Sequence, residues 1–108
     1  MTRDAVHIRS ARREEAAEIA AILRESVDDA LPRLAGLHRP EEDLAFVRDV
    51  LFKTCGLTCA EAGGEMAGFA AMNGDVIEQF YLRPAMQRRA IGSQLLEHIR
   101  QDRDRLEL

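Results

Sequence analysis

Residues 75–100, DVIEQFYLRPAMQRRAIGSQLLEHIR, decide the reading of this chain. Val76 to Leu82 is rich in β-branched and aromatic residues and reads as a buried strand. Pro84 stops it, because proline has no N–H to give to a ladder. A helix starts near Ala90 and carries Ile91, Leu95 and Ile99 on one face. Between strand and helix lies Gln87-Arg88-Arg89-Ala90-Ile91-Gly92. A tight loop feeding a helix N-terminus leaves backbone N–H groups without intrahelical partners. They add to the positive end of the helix dipole and make an anion site. Arg83, Arg88 and Arg89 bring cations to the same region, and Gly92 lets a ligand approach the backbone.

This segment resembles the signature of the GNAT N-acetyltransferases, Q/R-x-x-G-x-G/A on a strand–loop–helix. Gln87 fills the first place and Gly92 the last, while Ala90 stands where the family usually has its first glycine. Ile77-Glu78-Gln79-Phe80-Tyr81-Leu82, followed by Pro84, looks like the family's fourth strand and its exit. The resemblance implies acetyl-CoA as co-substrate, its pyrophosphate on the loop and its pantetheine arm along the strand. The residues so implied in binding are Phe80, Tyr81, Leu82, Gln87, Arg88, Arg89, Ala90, Ile91, Gly92 and Ser93.

Composition bounds the answer. The 108 residues are enough for one domain with a modest core. A net charge of −4 argues against non-specific nucleic-acid binding, which needs a basic face, so the loop arginines are a local feature. No apolar run approaches the ~20 residues that span a bilayer. Met1 to Asp4 carry no signal-peptide core, and a cytoplasmic location is expected. Cys55 and Cys59 are too few for a disulfide framework and lack the histidine pair of a zinc site, so no metal is expected. They read as small buried hydrophobes.

The rest of the chain builds a frame around the opening segment. Val6 to Arg9 is a short strand. Arg12 to Ala30 reads as a helix, with Ala16, Ile19, Leu23 and Val27 on its buried face. Leu31 to Arg39 is a loop, and Pro40 opens a second helix whose apolar face is Leu44, Val47 and Leu51. By resemblance, the loop between these helices borders the acceptor site, which makes Arg33, His38 and Arg39 candidates for acceptor contact. Gly56 to Glu61 and Met66 to Met72 are strands around a Gly63-Gly64 turn, and Asn73-Gly74 is expected to turn the chain into Val76. Ala67, Gly68, Ala70 and Ala71 leave room for a helix to pack on the middle strand.

The fold class is therefore α/β (α+β): one GNAT-like domain over residues 1–108, its sheet mixed but mostly antiparallel, in the order β-α-α-β-β-β-α. Arg105 to Leu108 could begin a short fifth strand. The family pattern continues beyond that point, so this chain is expected to be incomplete at its C-terminus. An open edge is then expected on the strand of Val76 to Leu82, which invites strand addition and a homodimer.

The reaction implied by the resemblance is attack of a neutral primary amine on the thioester carbonyl. A backbone N–H near Tyr81 or Leu82 could hold the oxygen that gains charge. Glu78 is the local candidate for general base, since burial would raise its pKa; Glu61 is a weaker one. Strand alternation turns Tyr81 away from Glu78 unless a bulge intervenes. His98 could approach the core beside Leu95. The competing reading is a non-catalytic acyl-CoA-binding or dimerising module of the same fold. A Rossmann protein is disfavoured, since no G-x-G-x-x-G follows the first strand.

Overall fold

The computed structural model describes residues 6–34, 39–86 and 90–101. Arg105–Leu108, Gln87, Arg88, Arg89 and His38 lie outside them. Four strands form one sheet in the order β1-β2-β3-β4: Val6–Ser10, Gly56–Ala62, Glu65–Asn73 and Val76–Leu82. Every pairing among them is antiparallel. Helix α1 (Ala16–Ala30) follows a short 3-10 turn at Arg13–Glu15. Helix α2 (Pro40–Phe46) runs on through a π-helical stretch, Val47–Leu51, into the short α3 (Phe52–Thr54). Helix α4 (Ile91–Arg100) follows the fourth strand and a 3-10 turn at Pro84–Met86. The expected element order holds.

Two hairpins set the register. Gly63 and Gly64 both have positive φ, 62° and 81°, as a type I′ turn requires between Ala62 and Glu65. The second turn differs from expectation. Asn73 pairs with Val76, so the two turn residues are Gly74 and Asp75 rather than Asn73 and Gly74. Gly74 has φ 62°. A glycine first in the turn with a following residue at negative φ is the type II′ pattern, and this sequence meets it by moving the turn one place along.

The sheet buries both faces. On one, Ile19, Ile22 and Leu23 of α1, with Val47 and Leu51, cover Leu57, Cys59, Phe69 and Ala71. On the other, Ile91, Leu95 and Ile99 of α4 cover Ala60, Ala62, Ala67, Ala70, Met72 and Ile77. Spacing four apart puts the three α4 residues on one stripe, and each such burial is worth about 1.5–3 kcal/mol. The small strand residues admit that helix, as their composition indicates. Gly68 has a further reason. A Cβ there would fall 2.5 Å from the Tyr81 carbonyl oxygen and closer still to Leu82 Cδ2. The side chain of Leu82 therefore lies in the space that Gly68 leaves empty.

Charged groups tie the covering elements down. Arg9 on β1 donates to both oxygens of Glu15, at 2.8 and 2.6 Å, and through Nε to Glu61 at 2.6 Å. Glu15 also accepts from the Arg12 N–H at 2.8 Å and so caps the turn into α1. Glu61, a candidate base in the sequence, is thus a structural partner of Arg9. Between α1 and α2, Arg24 grips the buried Asp43 bidentately, at 2.9 and 2.7 Å.

Gly68→Ala should destabilise the protein by about 1–3 kcal/mol in urea unfolding, the usual cost of overpacking. Gly56→Ala, where nothing lies within 4 Å of the added Cβ, should be close to neutral. Bonding to Arg9 lowers the Glu15 carboxyl from 4.5 to about 2. A depressed carboxylate pKa stabilises the fold above pH 4.5, and that contribution is lost as the pH falls through about 2. Urea unfolding from pH 7 to pH 2 should show this decline, and Glu15→Gln should flatten it.

Candidate functional site

The sequence reading centres on the junction of β4 and α4, and the backbone there has three unusual features. β4 is the edge of the sheet, with no strand paired to its outer side among the described residues. The N–H of Arg83 donates to Ala67 O at 2.8 Å, so Arg83, Tyr81 and Gln79 direct their backbone groups toward β3. Phe80 and Leu82 direct theirs to the open side. The Tyr81 amide is therefore turned away from the edge, and of the two amides expected near a reacting carbonyl, that of Leu82 faces it.

The second feature is a bulge. Ile77 pairs with Met72 and Gln79 with Ala71, which leaves Glu78 unpaired between them. Ile77 joins the α4 face with Phe80, while Tyr81 packs on the α1 face, its ring 6.0 Å from that of Phe69. Simple alternation from residue 77 onward is thereby broken. Glu78 is exposed, so the burial expected of it is absent. The side chains of Phe80, Tyr81 and Leu82 are half-buried and pack against the core from the edge strand.

The third feature is the start of α4. Ala90 is its N-cap residue and sits in the left-handed region, φ 59° and ψ 15°. Among the described residues it is the only one other than glycine with positive φ. It offers no side-chain cap, and its carbonyl accepts from Gln94 N at 3.2 Å. The amides of Ile91, Gly92 and Ser93 are thus first-turn donors with no side-chain cap. Gly92 has a packing role as well: a Cβ there would stand 3.0 Å from Leu82 Cδ1. Its missing side chain lets the helix settle onto β4.

Other sequence candidates fall differently. Arg83 turns inward, its Nε donating to Met66 O at 2.8 Å and its Nη1 pairing with Glu25. His98 is exposed on α4, away from the core beside Leu95. Arg33 and Arg39 are exposed at the ends of the α1–α2 connection. Near them a groove of about 400 Å³ opens between α1 and α2, lined by Ala17, Ala21, Arg24, Pro40 and Leu44. Cys59 is fully buried and its thiol is pushed up to about 11 by that burial, which removes it as a nucleophile. No group of metal-ligating side chains occurs among the described residues. Sequence reasoning missed Ser26, which is buried and donates from Oγ to Leu82 O at 2.8 Å. Nothing local to Ser26 marks that contact.

The junction thus joins a bulged edge strand to a helix whose N-cap residue, Ala90, gives no side-chain cap. The sequence pattern of the Acetyltransferase (GNAT) family matches residues 18–103, and the chain belongs to that family. Its class is that of the acetyl-CoA-dependent N-acetyltransferases. No curated protein matches the chain significantly. Among solved structures, the fold is similar to apo YjaB of Escherichia coli, with 25% identity and a TM-score of 0.76, over 94% of this chain and 69% of that one. The ribosomal-protein-alanine N-acetyltransferase of Brucella melitensis shares 17% identity at TM-score 0.71, over 96% of this chain and 79% of its own. The PaiA N-acetyltransferase of Thermoplasma acidophilum, solved with coenzyme A, shares 20% at TM-score 0.62, over 87% and 69%.

Ala90 pays the left-handed penalty that glycine avoids, roughly 1–2 kcal/mol. Ala90→Gly should therefore raise stability by about 1 kcal/mol once the greater chain entropy of glycine is subtracted. Thermal unfolding measures it, and an unchanged or lower midpoint would show that the site does not hold this residue under strain.

Proposed function

We propose that the open edge of β4 and the first turn of α4 bind acetyl-CoA, and that the acetyl group goes to a primary amine. The observation that carries this is the first turn of α4, without a side-chain cap from its N-cap residue Ala90, seated against the end of an edge strand. The amides of Ile91, Gly92 and Ser93 suit the pyrophosphate. Gln87, Arg88 and Arg89 precede them in the chain and add charge and hydrogen bonds to the same anion. The backbone of Phe80, Tyr81 and Leu82 lines the path of the pantetheine arm, with the outward groups of Phe80 as its polar contacts. The donor would supply an activated thioester: the amine nitrogen bonds to the acyl carbon, the C–S bond breaks, and coenzyme A leaves as its thiolate. Glu78, lifted out of the ladder by the bulge and exposed, takes the amine proton, directly or through water. Because it is exposed, this role rests on position rather than on a pKa raised by burial.

The open β4 edge also supports self-association by strand addition, giving a homodimer. The two uses compete for the same backbone groups, so acetyl-CoA should lower the dimer fraction in sedimentation velocity. A monomer at all concentrations would remove the dimer from this reading. We place the protein in the cytoplasm, with its donor; cell fractionation checks that.

A thermal-shift titration with acetyl-CoA tests the site. Ligand at ~100 times its dissociation constant stabilises by about 2.7 kcal/mol, a rise of about 10 °C or more in a domain of this size. Arg88→Ala/Arg89→Ala should shrink the shift. In an assay with amine acceptors, Glu78→Gln should lower kcat by about 100-fold and leave acetyl-CoA binding unchanged. A folded protein with no shift would sink the assignment.

A further inference from the structure

We propose that Ser26 is a positioning residue that holds the two halves of the acetyl-CoA site, the β4 edge and the α4 N-terminus, in fixed relation through Leu82. The proposal rests on the binding reading above.

Leu82 is the last residue of β4 and is held from three directions. Its carbonyl, which the register turns to the open edge, accepts the hydroxyl of Ser26 at 2.8 Å. Its side chain fills the space over Gly68 and reaches Gly92 in the first turn of α4. The next residue is held as firmly. The Arg83 amide donates to Ala67 O and its Nε to Met66 O, both at 2.8 Å, while Glu25, beside Ser26 on α1, pairs with its Nη1. Met86 N then donates to Arg83 O at 2.8 Å as the chain leaves for the loop. Helix α1 thus reaches across from one face of the sheet to the residue on which α4 sits at the other.

The physical consequence concerns a ligand that binds at two places. A long molecule held by its phosphates at α4 and by its arm along β4 gains from both only if their spacing is set beforehand. Ser26 also occupies the Leu82 carbonyl on the open edge. That bond fixes the direction of the carbonyl, and the arm meets a defined set of backbone groups. Loss of the hydroxyl removes this tie between α1 and the end of β4 and lets that end move relative to α4. The phosphate-binding amides, which belong to the first turn of α4, stay as they are.

The test compares two ligands by isothermal titration: acetyl-CoA, which spans both halves, and adenosine 3′,5′-bisphosphate, which carries phosphate but no arm. Ser26→Ala should weaken acetyl-CoA about fivefold, the factor a single net hydrogen bond is worth, and leave the bisphosphate unchanged. Ser26→Thr, which keeps the hydroxyl, should restore most of the loss. Glu25→Gln, an exposed change that breaks the charge pair with Arg83 without opening the core, should act in the same direction as Ser26→Ala. Thermal unfolding without ligand confirms that each variant is folded. Equal weakening of both ligands would make Ser26 a purely structural residue and overturn the proposal. So would unchanged binding of both by Ser26→Ala. Failure of the unaltered protein to bind acetyl-CoA would instead remove the binding reading, and this proposal with it.

Discussion

The side chain of Leu82 lies between two glycines, and the rest of the site depends on that contact. Gly68 beneath it lets β4 and β3 approach, and Gly92 above it lets α4 come down onto the strand. A side chain at either place would push the helix away from the edge. In the proposed site this distance matters, because the first-turn amides of α4 and the edge of β4 would have to meet the same molecule. Packing of a single aliphatic side chain therefore sets the geometry of a polar site. Ile91, Leu95 and Ile99 supply the energy that keeps the helix down.

Strain and irregularity gather around this contact. Ala90 adopts a backbone conformation that alanine avoids, and it does so at the residue that aims the first turn of α4. The bulge at Glu78 takes one carboxylate out of the ladder at the exposed edge. A π-helical stretch, Val47–Leu51, joins α2 to α3, and its first and last residues are both buried in the core beneath α1. The inserted turn lets this long helical run keep its apolar side on the sheet. The π-helical stretch carries core residues, whereas the other two departures sit at the exposed edge and at the start of α4.

Charge holds the periphery. Arg9, Glu15 and Glu61 join β1, the turn into α1 and β2, while Arg24 and Asp43 join α1 to α2. These links explain why several charged residues that look available in the sequence are already engaged. Glu61 reads as a candidate base until Arg9 is seen beside it. Arg83 reads as one more cation near the loop until its guanidinium is found on Met66 and Glu25. A charge in a sequence has no partner, and only the fold supplies one.

The sequence by itself determined the order of elements, the two hairpins, the buried stripe of α4 and the family signature. Each is local: periodicity, turn chemistry and motif spacing act over a few residues and can be read along the chain. The tertiary structure alone decided the rest. It moved the second turn to Gly74 and Asp75, because Gly74 meets the sign of φ needed at the first turn position. It turned the amide of Tyr81 inward and that of Leu82 outward, since register fixes which backbone groups a strand spends on its neighbour. It exposed Glu78 and His98 and brought Ser26 to Leu82, across 56 positions of sequence. Contacts of that range arise from packing, which no local pattern encodes.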